Sequence, residues 1–156
     1  MNILITGVTS GIGRALTIRY IEEGHRVIGV ARREERLRAL REEHGENFSY
    51  IRWDLGQVDK LGGLVERIED EGVEIDLLIN NAGMGNYGEF VEEEIEKDLQ
   101  MIDINITAAT YLTKVYLKRM RERNSGGIIN VASTAAFQRG GLSWQLTMEL
   151  SPIPLP

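Results

Sequence analysis

The chain has 156 residues, 42% of them hydrophobic, with a formal net charge of -6 and no cysteine. That length supports one sizeable core and not two, so a single globular domain is expected. The acidic balance disfavours nucleic acid or an anionic membrane as a partner gripped by the overall field, and the lack of cysteine excludes disulfide frameworks and thiolate metal sites.

The first apolar run, Asn2 to Ile5, is too short for a signal-peptide core and runs straight into glycines, so a cytoplasmic protein without a membrane anchor is expected. From there, short β-branched runs alternate with segments of helical period, the pattern of β-α-β units around a parallel sheet. Strands are predicted over roughly Asn2 to Thr6, Arg26 to Ala31, Phe48 to Arg52, Ile75 to Ile79 and Gly127 to Ala132, each apolar enough to be covered on both faces. Helices are predicted from Gly11 to Glu23, from Glu34 to Glu43 and from Gln57 to Glu71, the last with Val58, Leu61, Val65 and Ile68 on one stripe. A longer fourth helix, from about Glu92 to Arg123, carries two stripes. Ile95, Leu99, Ile102, Ile106, Ala109, Thr113 and Tyr116 form one; Met101, Ile104, Ala108, Leu112 and Val115 form the other. Two stripes imply two partners, the sheet and either another helix or a second copy of the chain, so a homo-oligomer through this helix is expected.

The composition changes at the end, where Pro152, Pro154 and Pro156 are the only prolines of the chain. A flexible terminus explains this, and so does a stretch after about Gly141 that is foreign to the domain before it.

Three turns carry chemistry. Thr6-Gly7-Val8-Thr9-Ser10-Gly11-Ile12-Gly13 sits between the first strand and the first helix, where glycines permit a tight turn and let unpaired helix N–H groups approach a pyrophosphate. A glycine-rich turn without a ligand reads the same in isolation. Asn80-Asn81-Ala82-Gly83 follows the fourth strand, and Trp53-Asp54-Leu55 follows the third, where Asp54 is also placed to cap a helix. All three lie at the carboxyl ends of strands, where open parallel sheets bind ligands.

T-G-x-x-x-G-I-G together with N-N-A-G makes the chain similar to the short-chain dehydrogenase/reductase family over roughly residues 1 to 140. The resemblance implies a Rossmann-like, doubly wound α/β sheet of about five strands in the order 3-2-1-4-5. It implies that Gly7, Ser10, Gly11, Ile12 and Gly13 hold a dinucleotide pyrophosphate, and that Asp54, Asn81, Ala82 and Gly83 line its adenosine half. Where NAD-dependent members carry an aspartate after the second strand, this chain has Ala31-Arg32-Arg33. A guanidinium suits a 2′-phosphate, so NADP(H) is favoured over NAD(H), although Arg32 to Arg38 also reads as a solvated charge run. Asn105 matches the family's relay asparagine in the fourth helix, where a helix bulge would favour function over a structural hydrogen bond. Ser133 matches the serine that polarises the substrate carbonyl.

The family's Y-x-x-x-K pair is not found: there is no tyrosine after Tyr116 and no lysine after Lys118. Tyr111 and Lys114 are three apart and upstream of Ser133, so they are no displaced copy. The chain therefore reads as a truncated NADP-binding domain, 1 to 140, followed by a non-family tail, 141 to 156, for which a frameshift is one explanation. It is expected to bind cofactor without turnover, the substrate being acted on only by a full-length parent. A non-catalytic nucleotide-binding or protein-interaction module using the fourth helix remains the alternative, and a partner chain supplying the missing half a third.

Overall fold

The computed structural model describes residues 1–85 and 91–133. Strand β1 (Asn2–Thr6) is buried from Ile3 onward and occupies the centre of a five-stranded sheet. It pairs in parallel with β2 (Arg26–Ala31) from Asn2↔Arg26 to Thr6↔Val30, and with β4 (Leu77–Asn80) from Ile3↔Leu77 to Ile5↔Ile79. β3 (Phe48–Arg52) flanks β2 and β5 (Gly127–Asn130) flanks β4, giving the order β3-β2-β1-β4-β5. Reversal of strand order at β1 is what opens a crevice at the carboxyl edge.

Uninterrupted apolar strands require cover on both faces. On one face Ile3, Ile5, Val27 and Phe48 pack against Ile21 of α1 (Gly11–Glu22) and Leu37 and Leu40 of α2 (Glu34–His44). On the other, Leu4, Ile28, Ile51 and Leu78 pack against Leu61, Leu64 and Ile68 of α3 (Leu61–Glu69) and against the long helical segment that follows β4. That segment is α4 (Ile95–Ile102), a π-turn (Asp103–Ala108) and α5 (Ala109–Glu122). Its inner face is Met101, Ile104, Ala108, Leu112, Tyr116 and Met120, all buried. Four-residue spacing exceeds the 3.6 of an α-helix, and the wide turn absorbs part of the difference. The expectation that Tyr116 shares the outer stripe is corrected accordingly. Ile95 and Leu99 of that stripe are 58% and 52% exposed.

Several boundaries differ from expectation. β4 starts at Leu77 rather than Ile75, because the Ile75 carbonyl accepts the Arg123 guanidinium although its side chain is buried. β5 ends at Asn130, opposite the last residue of β4, and not at Ala132. The predicted Gln57 to Glu71 helix opens with a separate 3₁₀ turn, Val58–Lys60. The fourth helix begins at Ile95, after extended Glu94, and not at Glu92. Among the described residues, no helix is long and apolar enough to cross a membrane.

Candidate functional site

At the end of β1 the Gly7 N–H donates to Val30 O at 2.8 Å, and Gly7 turns away with φ +76, a value glycine adopts without strain. α1 then begins at Gly11, and its N-cap Ser10 makes no side-chain capping bond, so the Ser10 hydroxyl does not occupy the first N–H groups of the helix. Beneath them lies Gly13, where a Cβ would come within 2.3 Å of Asn81 Nδ2 and 2.4 Å of Gly7 O. The two turns singled out in the sequence thus meet with no side chain between them.

Hydrogen bonds fix that contact. Asn81 Nδ2 donates to Thr6 O at 2.9 Å and Gly7 O at 3.3 Å, while the N–H groups of Asn81 and Ala82 both donate to Thr6 Oγ1, at 3.0 and 2.9 Å. Thr6 is 2% exposed and builds the site, a role that the sequence alone did not assign to it. Its signal in the sequence is its place as the first residue of the T-G-x-x-x-G-I-G motif.

A cleft of about 830 Å³ opens above these turns. Gly7, Ser10, Gly11, Ile12, Arg32, Arg33, Asp54, Asn81, Ala82, Gly83, Asn105 and Ser133 all line it, and Gly13 alone of the predicted set lies below its floor. At one end, Arg33 donates from Nε and Nη2 to Thr9 Oγ1 at 3.0 and 2.7 Å, and from Nη2 to Ser10 Oγ at 2.7 Å. Arg36 reaches Thr9 O at 3.3 Å. Arg32 makes no hydrogen bond or ion pair among the described residues. Glu34, the carboxylate next in sequence, pairs with Arg38 at 3.2 Å and Arg52 at 3.9 Å instead. The corner is therefore left cationic, suited to a phosphate oxyanion.

Asp54 Oδ1 accepts the Gly56 N–H at 3.1 Å, closing a local turn. The expectation that it caps a helix is corrected, since α3 starts only at Leu61 beyond an intervening 3₁₀ turn. Trp53 beside it packs over Gly63, where a Cβ would lie 3.4 Å from the indole.

Toward the other end, Asn105 sits inside the π-turn, a helix irregularity frequent at functional sites. Its Oδ1 accepts the Met84 N–H at 2.9 Å and its Nδ2 donates to Met84 O at 2.8 Å, so the amide pins the segment following Gly83. Asn80, the first residue of the N-N-A-G motif, joins Asn130 and Thr113 in a second polar cluster that the motif did not foretell. Asn80 Nδ2 donates to Thr113 Oγ1 and Asn130 Oδ1, both at 2.9 Å, while its buried Oδ1 has no partner among the described residues. Asn80 opens the N-N-A-G motif in the sequence, but its pairing with Asn130 emerges only with the strand register. Ser133 follows β5 on the cleft wall. The expected tail, 141 to 156, and the stretch where Y-x-x-x-K would fall lie outside the described residues.

The sequence matches the family model of the short chain dehydrogenases over residues 1–144. It is similar to the NADP-dependent 3-hydroxy acid dehydrogenase YdfG of Escherichia coli (strain K12), 38% identical over 136 residues that cover 86% of this chain and 55% of the relative. The fold is similar to the closed form of serine dehydrogenase complexed with NADP+, with a TM-score of 0.80 and 37% identity, covering 88% of this chain and 56% of that one. A short-chain dehydrogenase from Sphingobium yanoikuyae in complex with NADPH gives a TM-score of 0.79 at 36% identity, over 87% of this chain and 54% of that one. The chain spans about half the length of the curated relatives it matches. On a family match over most of its length and a sheet whose order and crevice agree with that match, the chain belongs to the short-chain dehydrogenase family.

Proposed function

We propose that this chain binds NADP(H) in the cleft at the carboxyl edge of the sheet, as the nucleotide-binding part of an oxidoreductase acting on carbonyl or alcohol carbons. The observation that carries the reading is one cleft joining a glycine cradle that a Cβ cannot enter to a cationic corner where Arg32 has no partner among the described residues. The residues present fit such a cofactor. Ser10, Gly11, Ile12 and the floor made by Gly7 and Gly13 would hold the pyrophosphate against the α1 N-terminus. Arg32 and Arg33 would take the 2′-phosphate, and Asp54, Asn81, Ala82 and Gly83 the adenosine half. The relatives named for NADP dependence or bound to NADP+ and NADPH support this choice over NAD(H).

The dinucleotide, when bound, supplies or accepts the hydride. The chain's own residues do the rest. Ser133 would donate a hydrogen bond to the carbonyl oxygen and polarise it, while Asn105 holds Met84 on the cleft wall. No tyrosine follows Tyr116 and no lysine follows Lys118, so these 156 residues supply no phenol and ammonium pair to move the proton. General acid–base help is worth roughly 10²- to 10⁴-fold, and the chain alone should bind cofactor without efficient turnover. In this reading residues 1 to 140 are the binding unit and 141 to 156 stand apart from it. Two of the relatives are named for 3-hydroxy acids and for serine, which makes 3-hydroxy acids the first substrates to try with a complete protein.

Calorimetric titration with NADPH and NADH tests the reading. Tighter NADPH binding that falls toward the NADH value in Arg32→Ala is expected; equal affinities in the unmodified chain would defeat it.

A second reading, a protein-interaction module, is favoured by the exposed Ile95 and Leu99 of α4, which suit contact with a second copy. Light scattering should show concentration-dependent dimers; a monomer across the accessible range would remove this reading.

A further inference from the structure

We infer that Thr9 is a positioning residue for phosphate recognition, acting through Arg33 and not by contact with the ligand. The inference rests on the NADP(H) reading above and deepens it.

Thr9 is 5% exposed, so its hydroxyl is held in place by its surroundings. That oxygen accepts from both Nε and Nη2 of Arg33, at 3.0 and 2.7 Å, a two-bond grip on one edge of the guanidinium. Ser10 Oγ adds a third bond to Nη2 at 2.7 Å. Three of the five guanidinium hydrogens are thereby committed, and the two on Nη1 have no partner among the described residues. A free arginine loses rotamer freedom when it closes on a phosphate, whereas a planar fork already immobilised has less to lose. The grip also holds the Arg33 charge beside Arg32, which has no partner among the described residues, with Glu34 drawn off to Arg38 and Arg52. Arg33 thus supplies a cation held in place by two hydroxyls. Neutral hydroxyls are the suitable anchors, because a carboxylate in place of Thr9 would cancel the charge that it positions.

The experiment measures NADP+ and NAD+ affinities by calorimetry for the chain as it stands and for Thr9→Val, Thr9→Ser and Arg33→Ala, with chemical denaturation to verify folding. Valine keeps the shape of threonine and removes only the acceptor. Thr9→Val should weaken NADP+ binding roughly tenfold or more, the size of a lost charge-assisted hydrogen bond, and leave NAD+ binding unchanged. Thr9→Ser should stay within about twofold of the parent, and Arg33→Ala should match or exceed the Thr9→Val loss. In ¹⁵N spectra the Arg33 Nε–H should exchange faster with water in Thr9→Val and not in Thr9→Ser. The inference is overturned if Thr9→Val keeps the parent's NADP+ affinity, gains affinity, or loses NAD+ affinity equally; the last result would mean damage to the turn. Loss in Thr9→Ser overturns it too. If the unmodified chain does not discriminate NADP+ from NAD+, the NADP(H) reading itself fails, and a preference abolished by Arg32→Ala but untouched by Thr9→Val leaves that reading standing while rejecting the role of Thr9.

Discussion

Replacing Gly13 by alanine probes whether the two cleft turns are one packed unit. The new methyl would start 2.3 Å from Asn81 Nδ2 and 2.4 Å from Gly7 O, against an optimal contact of about 3.5 Å or more. Asn81 is not free to swing away, because the same nitrogen donates to Thr6 O and Gly7 O. Gly7 O is backbone, so relief requires the turn itself to move by about 1 Å. Overpacking of this kind costs about 1–3 kcal/mol, and the better helix propensity of alanine inside α1 returns up to about 1 kcal/mol. A net loss of about 1–2 kcal/mol should lower Tm by roughly 2–8 °C for a chain of this size. Gly62→Ala in α3 is the control, since the nearest atom to its Cβ is Tyr111 Oη at 3.7 Å; it should stabilise by about 0.5–1 kcal/mol. Thermal and urea unfolding, with NADPH titration of the folded variants, read both effects. The displaced turn should cost Gly13→Ala at least tenfold in NADPH affinity, through lost pyrophosphate contacts, while Gly62→Ala binds as the parent does. Parental stability and affinity in Gly13→Ala would refute the reasoning.

Thr6→Val should destabilise by about 2–4 kcal/mol, because the N–H groups of Asn81 and Ala82 both lose their acceptor, and Thr6→Ser should restore most of it in urea unfolding. Asn105→Ala removes both bonds to the Met84 backbone and should cost about 1–3 kcal/mol by the same measurement. Burial holds the Tyr116 phenol above its ordinary value of 10.0, opposed in part by the Arg119 charge. The folded chain therefore retains that proton longer than the unfolded one, so the stability this group contributes is intact below about pH 10 and declines as pH rises further. Absorbance titration should show one tyrosine ionising only with alkaline unfolding, a component that Tyr116→Phe removes. Turnover assays of the 156-residue chain, with NADP+ and 3-hydroxy acids and with NADPH and 3-oxo acids, should stay at background; efficient turnover at confirmed mass would mean another group moves the proton.

Much of this architecture was readable because strand and helix periods differ and glycine turns are local. The core strands β1, β2 and β3 fall where the apolar runs place them, since both faces are covered. Ends were less readable. Ile75 is buried like a strand residue, yet whether its carbonyl meets a strand or the Arg123 guanidinium depends on contacts far along the chain. The site residues were legible as a group because they share turns at one sheet edge, whereas their hydrogen-bond assignments were not. Nothing in Ala31-Arg32-Arg33 says that Arg33 folds back onto Thr9 while Arg32 meets no partner among the described residues, for that depends on how α2 lies beside the glycine turn. Asn105 was noticed as an amide in an apolar helix, and only the fold reveals that Met84 satisfies both ends of it.

A crystal structure of the chain grown with NADP+ tests the central claim most directly. The account predicts the pyrophosphate at the α1 N-terminus above Gly7 and Gly13, the 2′-phosphate within hydrogen-bond distance of Arg32 and Arg33, and the nicotinamide end toward Ser133. A dinucleotide seated elsewhere, or its 2′-phosphate turned away from both arginines, would contradict it.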